Sequence, residues 1–221
     1  MGKRKVGNPL ALAVLALVAE KPMHPYEMSS TLRERAKEQS IKLNYGSLYS
    51  VVDSLVRHEL IEVHETVREG RRPERTVYGI TDTGRVELID WLSELTAVPV
   101  KEYTQFEAAL SLLPVLSPDE AVRLLETRRM RLDADIAAAD GVLSEWGDES
   151  LAFLWAIEYS YVQVLRKAER DFVAGVIEKI RKDDLPAIKA WRRAHEVAAG
   201  VPGEPDWEKA VRDEGVTWPN Q

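Results

Sequence analysis

Asn44-Tyr45-Gly46-Ser47-Leu48-Tyr49-Ser50-Val51-Val52-Asp53-Ser54-Leu55-Val56-Arg57-His58-Glu59-Leu60-Ile61 carries Leu48, Val51, Val52 and Leu55 at i, i+3, i+4 and i+7, with Val56 beside them. That spacing is one face of an α-helix. The opposite face holds Ser47, Tyr49, Ser50, Asp53, Ser54 and Arg57. A helix that had only to stay soluble more often shows Glu and Lys there. Small hydroxyls instead let a helix lie close in a DNA major groove and hydrogen-bond to phosphates or base edges.

The flanking residues supply the rest of a helix-turn-helix. Asn8-Pro9 is an N-cap followed by Pro at the first helical position. Leu10 to Val18 are apolar all round, which predicts a helix buried on most sides, ended by Glu20-Lys21-Pro22. A second helix begins at Met23-His24-Pro25-Tyr26-Glu27-Met28, with an apolar stripe of Tyr26, Met28 or Ser29, Leu32 and Ala36. Glu34, Arg35, Lys37 and Glu38 form its solvated side, and His24 is a lone histidine in a connector. Lys42-Leu43-Asn44 leads into the opening stretch, with Asn44 as its cap. Two helices joined by a turn, the second polar outside, make the helix-turn-helix.

Downstream, Leu60 to Val67 alternates apolar and polar, the period of a half-buried strand. Arg68-Glu69-Gly70-Arg71-Arg72-Pro73-Glu74-Arg75 is a charged turn, and Thr76 to Thr81 is the returning strand. Three helices and a hairpin with a basic tip form a winged helix. Arg68, Arg71, Arg72 and Arg75 suit phosphates or a minor groove.

Thr81 or Asp82 caps a further helix whose apolar side is Val86, Leu88, Ile89, Leu92 and Leu95, and Val98-Pro99-Val100 marks a boundary. Beyond it the pattern is helical. A short helix with Phe106, Ala109, Leu110, Leu112 and Leu113 stops at Pro114. Ser117-Pro118-Asp119-Glu120 starts a long helix to Trp146, with Ala121, Leu124, Leu125, Met130, Leu132, Ile136, Ala139 and Val142 or Leu143 on one side. After a turn at Gly147 to Ser150, a return helix spans Leu151 to Lys182. It carries Leu154, Trp155, Ile157, Tyr161, Val164, Leu165, Ala168, Phe172, Val176 and Ile180. One hairpin cannot bury so many large residues, so a second copy is expected to complete the core.

The expected class is therefore mainly α. Residues 1–97 form a winged helix-turn-helix DNA-binding domain and 98–184 a C-terminal antiparallel helical dimerisation domain. Residues 185–221 form a tail with a short helix near Trp191 and irregular structure after it, in which Trp207 and Trp218 are either anchors or exposed.

Composition narrows the function. The 221 residues include no Cys, which removes disulfides, thiolate metal sites and Cys nucleophiles, and fits a reducing cytoplasm. The longest apolar run, Pro9 to Ala19, is too short for a membrane span. With Met1 to Lys5 it mimics a signal peptide, but Glu20-Lys21-Pro22 stands where a cleavage site would lie, so a cytoplasmic protein is expected. The net charge of −7 is uneven. Residues 1–85 hold 14 Lys and Arg against 11 Asp and Glu, a balance of +3, and the remainder 16 against 26, a balance of −10. A basic first part suits DNA.

Three stretches resemble the PadR family of transcriptional regulators: His24-Pro25-Tyr26-Glu27-Met28, Gly46 to Glu62, and Arg75-Thr76-Val77-Tyr78-Gly79-Ile80-Thr81-Asp82-Thr83-Gly84. They are similar to the family's Pro-Tyr-Glu helix start, its Gly-Thr-Leu-Tyr-Pro recognition helix ending in Gly-Leu-Ile, and its Arg-x-x-Tyr-x-x-Thr-x-x-Gly wing closure. Ser47 stands for the usual Thr, Ser50 for Pro and Glu59 for Gly. The long helical C-terminal part is similar to the longer subgroup. The resemblance implies a homodimeric repressor on double-stranded operator DNA, released by a small aromatic or lipophilic effector. Trp91, Tyr103, Phe106, Trp155 and Tyr159 are candidates to line the effector pocket, the alternative being aromatics of the dimer core.

The DNA-binding candidates are Asn44, Tyr45, Ser47, Tyr49 and Ser50 at the groove, and Lys42, Arg71, Arg72 and Arg75 on phosphates, with Lys3, Arg4 and Lys5 adding to the grip. A second class, a winged-helix protein-interaction module without sequence-specific DNA binding, is favoured by the acidic overall charge and opposed by the hydroxylated helix face and basic wing. An enzyme is not expected. There is no His-Glu-x-x-His, no phosphate-binding Gly-rich loop and no Gly-x-Ser-x-Gly, and four scattered histidines make no metal centre. No cofactor is expected.

Overall fold

The computed structural model describes residues 6–42, 44–67, 75–146, 157–197 and 205–217. The chain is mainly helical with one small sheet and divides into two units, residues 1–101 and 102–221. Among the described residues no helix is long and apolar enough to cross a membrane.

The first unit holds α1 (Pro9–Glu20), α2 (Pro25–Glu34), α3 (Tyr45–Arg57), β1 (Ile61–Val67), β2 (Arg75–Ile80) and α4 (Asp82–Ala97). Asn8 caps α1 through its side-chain oxygen, which accepts from the Leu10 N–H at 2.9 Å. Leu10, Val14, Leu15, Leu17 and Val18 are buried, so α1 is the central rod of the core. It packs on α3, α4 and β2. Met28 and Leu32 of α2 and Leu48, Val52 and Leu55 of α3 close around it. Glu20 and Arg35 tie the ends of α1 and α2 together through two parallel bonds of 2.6 and 2.7 Å. On α2 the buried residues are Pro25, Met28, Ser29 and Leu32, whereas Tyr26, placed on the apolar stripe by its spacing, is exposed.

β1 and β2 pair antiparallel from Ile61 opposite Ile80 to Val67 opposite Arg75, with an irregularity between Val63 and Glu65. The alternation in β1 predicted a half-buried strand, and here the structure differs. Ile61 is buried, but Val63 is 53% exposed. The core contact is carried by β2, where Tyr78 and Ile80 pack against the helices and Tyr78 is bridged to Met23, while Val63 on β1 is left open.

α4 begins at Thr81, whose hydroxyl accepts from the Gly84 N–H at 2.9 Å. Gly84 is required by proximity: a Cβ there would lie 1.9 Å from the carbonyl oxygen of Leu60. The apolar side expected for α4 also needs correction. Gly84 and Trp91 are buried and Leu88 half-buried, while Val86 (71%), Ile89, Leu92 and Leu95 are exposed. The tight contact at Gly84 selects which side of the helix meets the core, and spacing alone does not.

The second unit holds α5 (Gln105–Ser111), a 3-10 turn at Leu113–Val115, α6 (Pro118–Trp146), α7 (Ile157–Arg181), α8 (Ile188–Val197) and α9 (Trp207–Glu214). Cross-links pair ascending with descending numbers: Arg181 with Glu126, Arg170 with Asp133 and Lys167 with Asp140. α6 and α7 are thus antiparallel. The buried amide of Gln163 donates to the Ile136 carbonyl at 3.1 Å and to Asp140 Oδ1 at 3.0 Å, which pins their register. The seam is Ala121 and Leu125 against Val173, Ile177 and Ile180.

That seam is narrower than the stripes predicted. Leu124 and Met130 on α6, and Ile157, Tyr161, Val164 (65%), Leu165 and Phe172 on α7, are exposed. One neighbouring helix covers only a narrow strip, so the wider apolar arc stays outside. Val142 and Leu143 are helical, but nothing is described of their side chains. Leu151, Leu154, Trp155 and the turn at Gly147 to Ser150 lie outside the described residues.

The tail is more regular than expected. After α8 a second helix, α9, is capped by Asp206, whose Oδ1 accepts from the Lys209 N–H at 3.0 Å, and ends at Gly215 with φ 63°. Trp191 Nε1–H donates to the Leu116 carbonyl at 2.8 Å and His195 Nε2–H to that of Pro114 at 3.0 Å. Ala210 is fully buried and Trp207 packs on the same core, so Trp207 is an anchor. Trp218 lies outside the described residues.

Candidate nucleic-acid interface

The inner face of α3 is fixed by burial of Leu48, Val51, Val52 and Leu55, which sets the direction of the outer face. Ser47, Tyr49, Ser50, Asp53 and Arg57 are exposed together on that face, with Ser54 half-buried at its edge. Tyr49 keeps 48% of its surface open. Asn44 caps the helix, its Oδ1 accepting from the Gly46 N–H at 3.0 Å, which leaves its amide NH2 as the group it offers outward. Ser50 Oγ donates to the Gly46 carbonyl at 3.1 Å, so toward a ligand its oxygen acts as an acceptor. Tyr45 opens α3, but its side chain is not among those described. Lys42 is exposed just before the cap.

Beside this face lies an open cleft of about 430 Å³ lined by Val6, Asn8, Gly46, Ser47, Ser50, Val51 and Ser54. It separates the starts of α1 and α3, and small side chains keep it open. Asp53 is the one acid on the exposed face of α3 and Arg57 its one base. The face therefore presents hydroxyls and a phenol, with little net charge of its own.

Of the wing cations named as phosphate candidates, Arg75 is described. Arg75 is exposed at the first position of β2, paired with Val67. Arg71 and Arg72, like Arg68, lie outside the described residues, as do Lys3, Arg4 and Lys5. The root of the wing is pinned to the connector before α2. Met23 and Tyr78 exchange two backbone hydrogen bonds, each 3.0 Å. Burial raises the Tyr78 hydroxyl above its ordinary pKa, and the negative charge of Asp53 and the Tyr49 phenol add to the rise, which places Tyr78 between wing and α3.

His24 has a definite role that its position in a connector did not reveal. Its Nδ1 accepts from the Tyr26 N–H at 3.1 Å while Glu27 accepts from the His24 N–H at 3.2 Å, a capping box. The signal was present in the sequence as Pro25 at the first helical position with Glu27 three residues after His24, a pattern normally read only behind Ser, Thr, Asp or Asn. Burial holds the His24 imidazole below its usual pKa. The nearby Arg75 charge lowers it further, and Glu27 offsets part of this.

The aromatic candidates are distributed differently. Trp91 is a core residue of the first unit. In the second unit Tyr103 is 88% exposed and Tyr159 half-buried on α7. Phe106 lies under the Arg128 guanidinium, 3.6 Å from the ring centre, and Arg128 Nε–H also donates to Glu169 at 2.6 Å. Phe106 lines a cleft of about 530 Å³ with Leu113, Leu116, Leu125, Arg131 and neighbours, and neither Tyr103 nor Tyr159 is among its lining residues. Trp155 lies outside the described residues.

Comparison with known proteins places this geometry. Residues 14–90 match the family described as the transcriptional regulator PadR-like family. A curated relative, the negative transcriptional regulator PadR of Bacillus subtilis (strain 168), is 24% identical over 182 residues, which cover 79% of this chain and 98% of the relative. The crystal structure of Bacillus subtilis PadR in complex with operator DNA is similar with a TM-score of 0.62 at 19% identity, covering 77% of this chain and 98% of that one. Its structure in complex with p-coumaric acid has a TM-score of 0.62 at 18% identity, covering 76% and 96%.

Proposed function

We propose that this chain, whose residues 14–90 match the PadR-like family of transcriptional regulators, is a homodimeric repressor that binds a two-half-site operator and is released by a small aromatic or lipophilic ligand. The observation that carries this reading is the outer face of α3. Ser47, Tyr49 and Ser50 stand exposed on a helix whose inner face is locked into the core. Close approach and hydrogen bonding are what such a face offers to a major groove. Arg71, Arg72 and Arg75 on the wing, with Lys42, would hold phosphates on either side. The curated relative's name, a negative regulator, and its structure with operator DNA support repression and DNA as the partner.

Pairing is supported by the apolar residues left open on α7. Ile157, Tyr161, Val164, Leu165 and Phe172 form one continuous exposed stripe at helical spacing. A stripe of that size in a water-soluble regulator calls for a covering surface, and a twofold copy supplies one while placing two α3 helices for two half-sites. Ligand release is supported by the relative's complex with p-coumaric acid and by the leucine-lined cleft beside Phe106. A soluble cytoplasmic protein follows from this role.

The test is fluorescence anisotropy with a duplex taken from the DNA upstream of the protein's own gene, titrated with salt. Binding with a steep salt dependence is expected. Changing Arg71 and Arg72 together to Ala should flatten the slope by about two units. No binding to this duplex at physiological salt would favour the protein-interaction alternative, and an unchanged slope would remove the wing from the interface.

A further inference from the structure

His24 stands at a junction between the start of α2 and the root of the wing. Its own ring caps α2, the first helix of the helix-turn-helix, through the 3.1 Å bond from the Tyr26 N–H to Nδ1. The residue before it, Met23, is bonded both ways to Tyr78 at the root of the wing. Among the described residues, the charged groups facing the ring are Glu27 from α2 and Arg75 from β2. A backbone N–H can donate only to an unprotonated Nδ1, so the cap exists only in the neutral imidazole.

We propose that His24 is a positioning residue whose protonation releases the α2 cap and repels Arg75, making the arrangement of α2 and the wing, and hence operator binding, sensitive to mildly acidic pH. Three effects act together on the protonated ring. It can no longer accept from Tyr26. It places a positive charge at the N-terminus of α2, where the peptide dipoles already disfavour cations. It also brings like charge toward Arg75, the wing cation proposed to meet phosphate. Among the described residues Glu27 is the attractive neighbour, and it already accepts from the His24 backbone.

The linkage has a definite sign. A histidine held below its unfolded value favours the folded state above that value, near 6.5, and the contribution is lost as pH falls through the folded value. Loss of one cap corresponds to about a fivefold change in an equilibrium constant.

The experiment compares wild type, His24→Asn and His24→Ala in the full chain between pH 7.5 and 5.5, by urea unfolding and by anisotropy with the upstream duplex. Asn caps without titrating. Wild type should lose about fivefold in folding equilibrium constant and in duplex affinity on acidification, over and above any change seen in His24→Asn. His24→Ala should match wild type at pH 5.5 already at pH 7.5. Because His58, His64 and His195 remain in all three, the difference between wild type and His24→Asn isolates His24. Equal pH profiles for wild type and His24→Asn would overturn the proposal. The duplex readout rests on the DNA-binding reading. If no variant binds the duplex at either pH, that reading fails, and the unfolding profiles alone decide the role of His24.

Discussion

The Thr81 hydroxyl donates to the carbonyl of Glu59 at 2.8 Å. Thr81 also lies 3.1 Å from the Leu60 carbonyl and accepts from the Gly84 N–H, so one side chain joins the end of α3, the end of the wing and the start of α4. Thr81→Val keeps the shape and removes these bonds. It should cost about 2 kcal/mol in urea unfolding, while Thr81→Ser should recover most of the loss. Equal stability of Thr81→Val and wild type would show that the junction is held by packing alone.

Glu59 itself sits at φ 59°, the left-handed region, without being glycine. Its strain is held by neighbours on both sides, because the Leu60 N–H donates to the Leu55 carbonyl at 3.0 Å and Thr81 takes the Glu59 carbonyl. Glu59→Gly should raise stability by about 1 kcal/mol, seen as a higher urea midpoint at unchanged slope. A drop in midpoint would mean that the side chain contributes more than the backbone strain costs.

Ser29 is fully buried on the inner face of α2, and its hydroxyl has no hydrogen-bond partner among the described residues. A hydroxyl removed from water without a partner destabilises the fold, and Ala is also the better helix former. Ser29→Ala should therefore stabilise by about 1 kcal/mol. A destabilised Ser29→Ala would point to a bound water satisfying the hydroxyl.

The Glu20–Arg35 pair sets an acid limb. The Arg35 guanidinium, through its hydrogen bonds, holds the Glu20 carboxyl below its usual range. A carboxylate with a lowered folded value stabilises the fold above the ordinary carboxylate range, and the contribution disappears as pH falls through the folded value. Both side chains are more than two-fifths exposed, so solvent reduces the effect to about 0.5 kcal/mol. Arg35→Gln should lower the urea midpoint at pH 7 and leave it nearly unchanged at pH 3. An equal loss at both pH values would show that Arg35 acts by packing its stem.

Arg75 offers a separate test of the wing. Arg75→Gln should weaken binding to the upstream duplex and reduce the salt slope by about one unit, the share of one phosphate. Weaker binding with no change in slope would place Arg75 on a base or in the fold rather than on the backbone.

Much of the first unit was legible because its signals are local. Asn8 and Asn44 cap the helices that their positions announced, and Thr81 caps α4. The buried set on α3 is the one that its spacing predicted. The groove-facing candidates Ser47, Tyr49 and Ser50 share one exposed face for the same reason, since a single helix places them. His24 was the exception: Pro25 and Glu27 mark a helix start behind it, but a cap by a ring nitrogen also depends on a rotamer and a tautomer that residue type does not encode.

What the sequence determined by itself is where the elements of the first unit start and stop and which residues a single helix groups together, because caps, breakers and periodicity act within a few residues. Which apolar side is covered was decided only in three dimensions. On α4, Gly84 against the Leu60 carbonyl turns Val86 and Ile89 outward. On α7, the seam takes Val173, Ile177 and Ile180 and leaves Tyr161, Val164 and Phe172 open. In the tail, Trp191 and His195 bond to the carbonyls of Leu116 and Pro114, some eighty residues earlier, and anchor a helix pair of which the sequence announced only the first. Burial is a property of pairs of elements, and pairs distant in the chain leave no local pattern from which to read it.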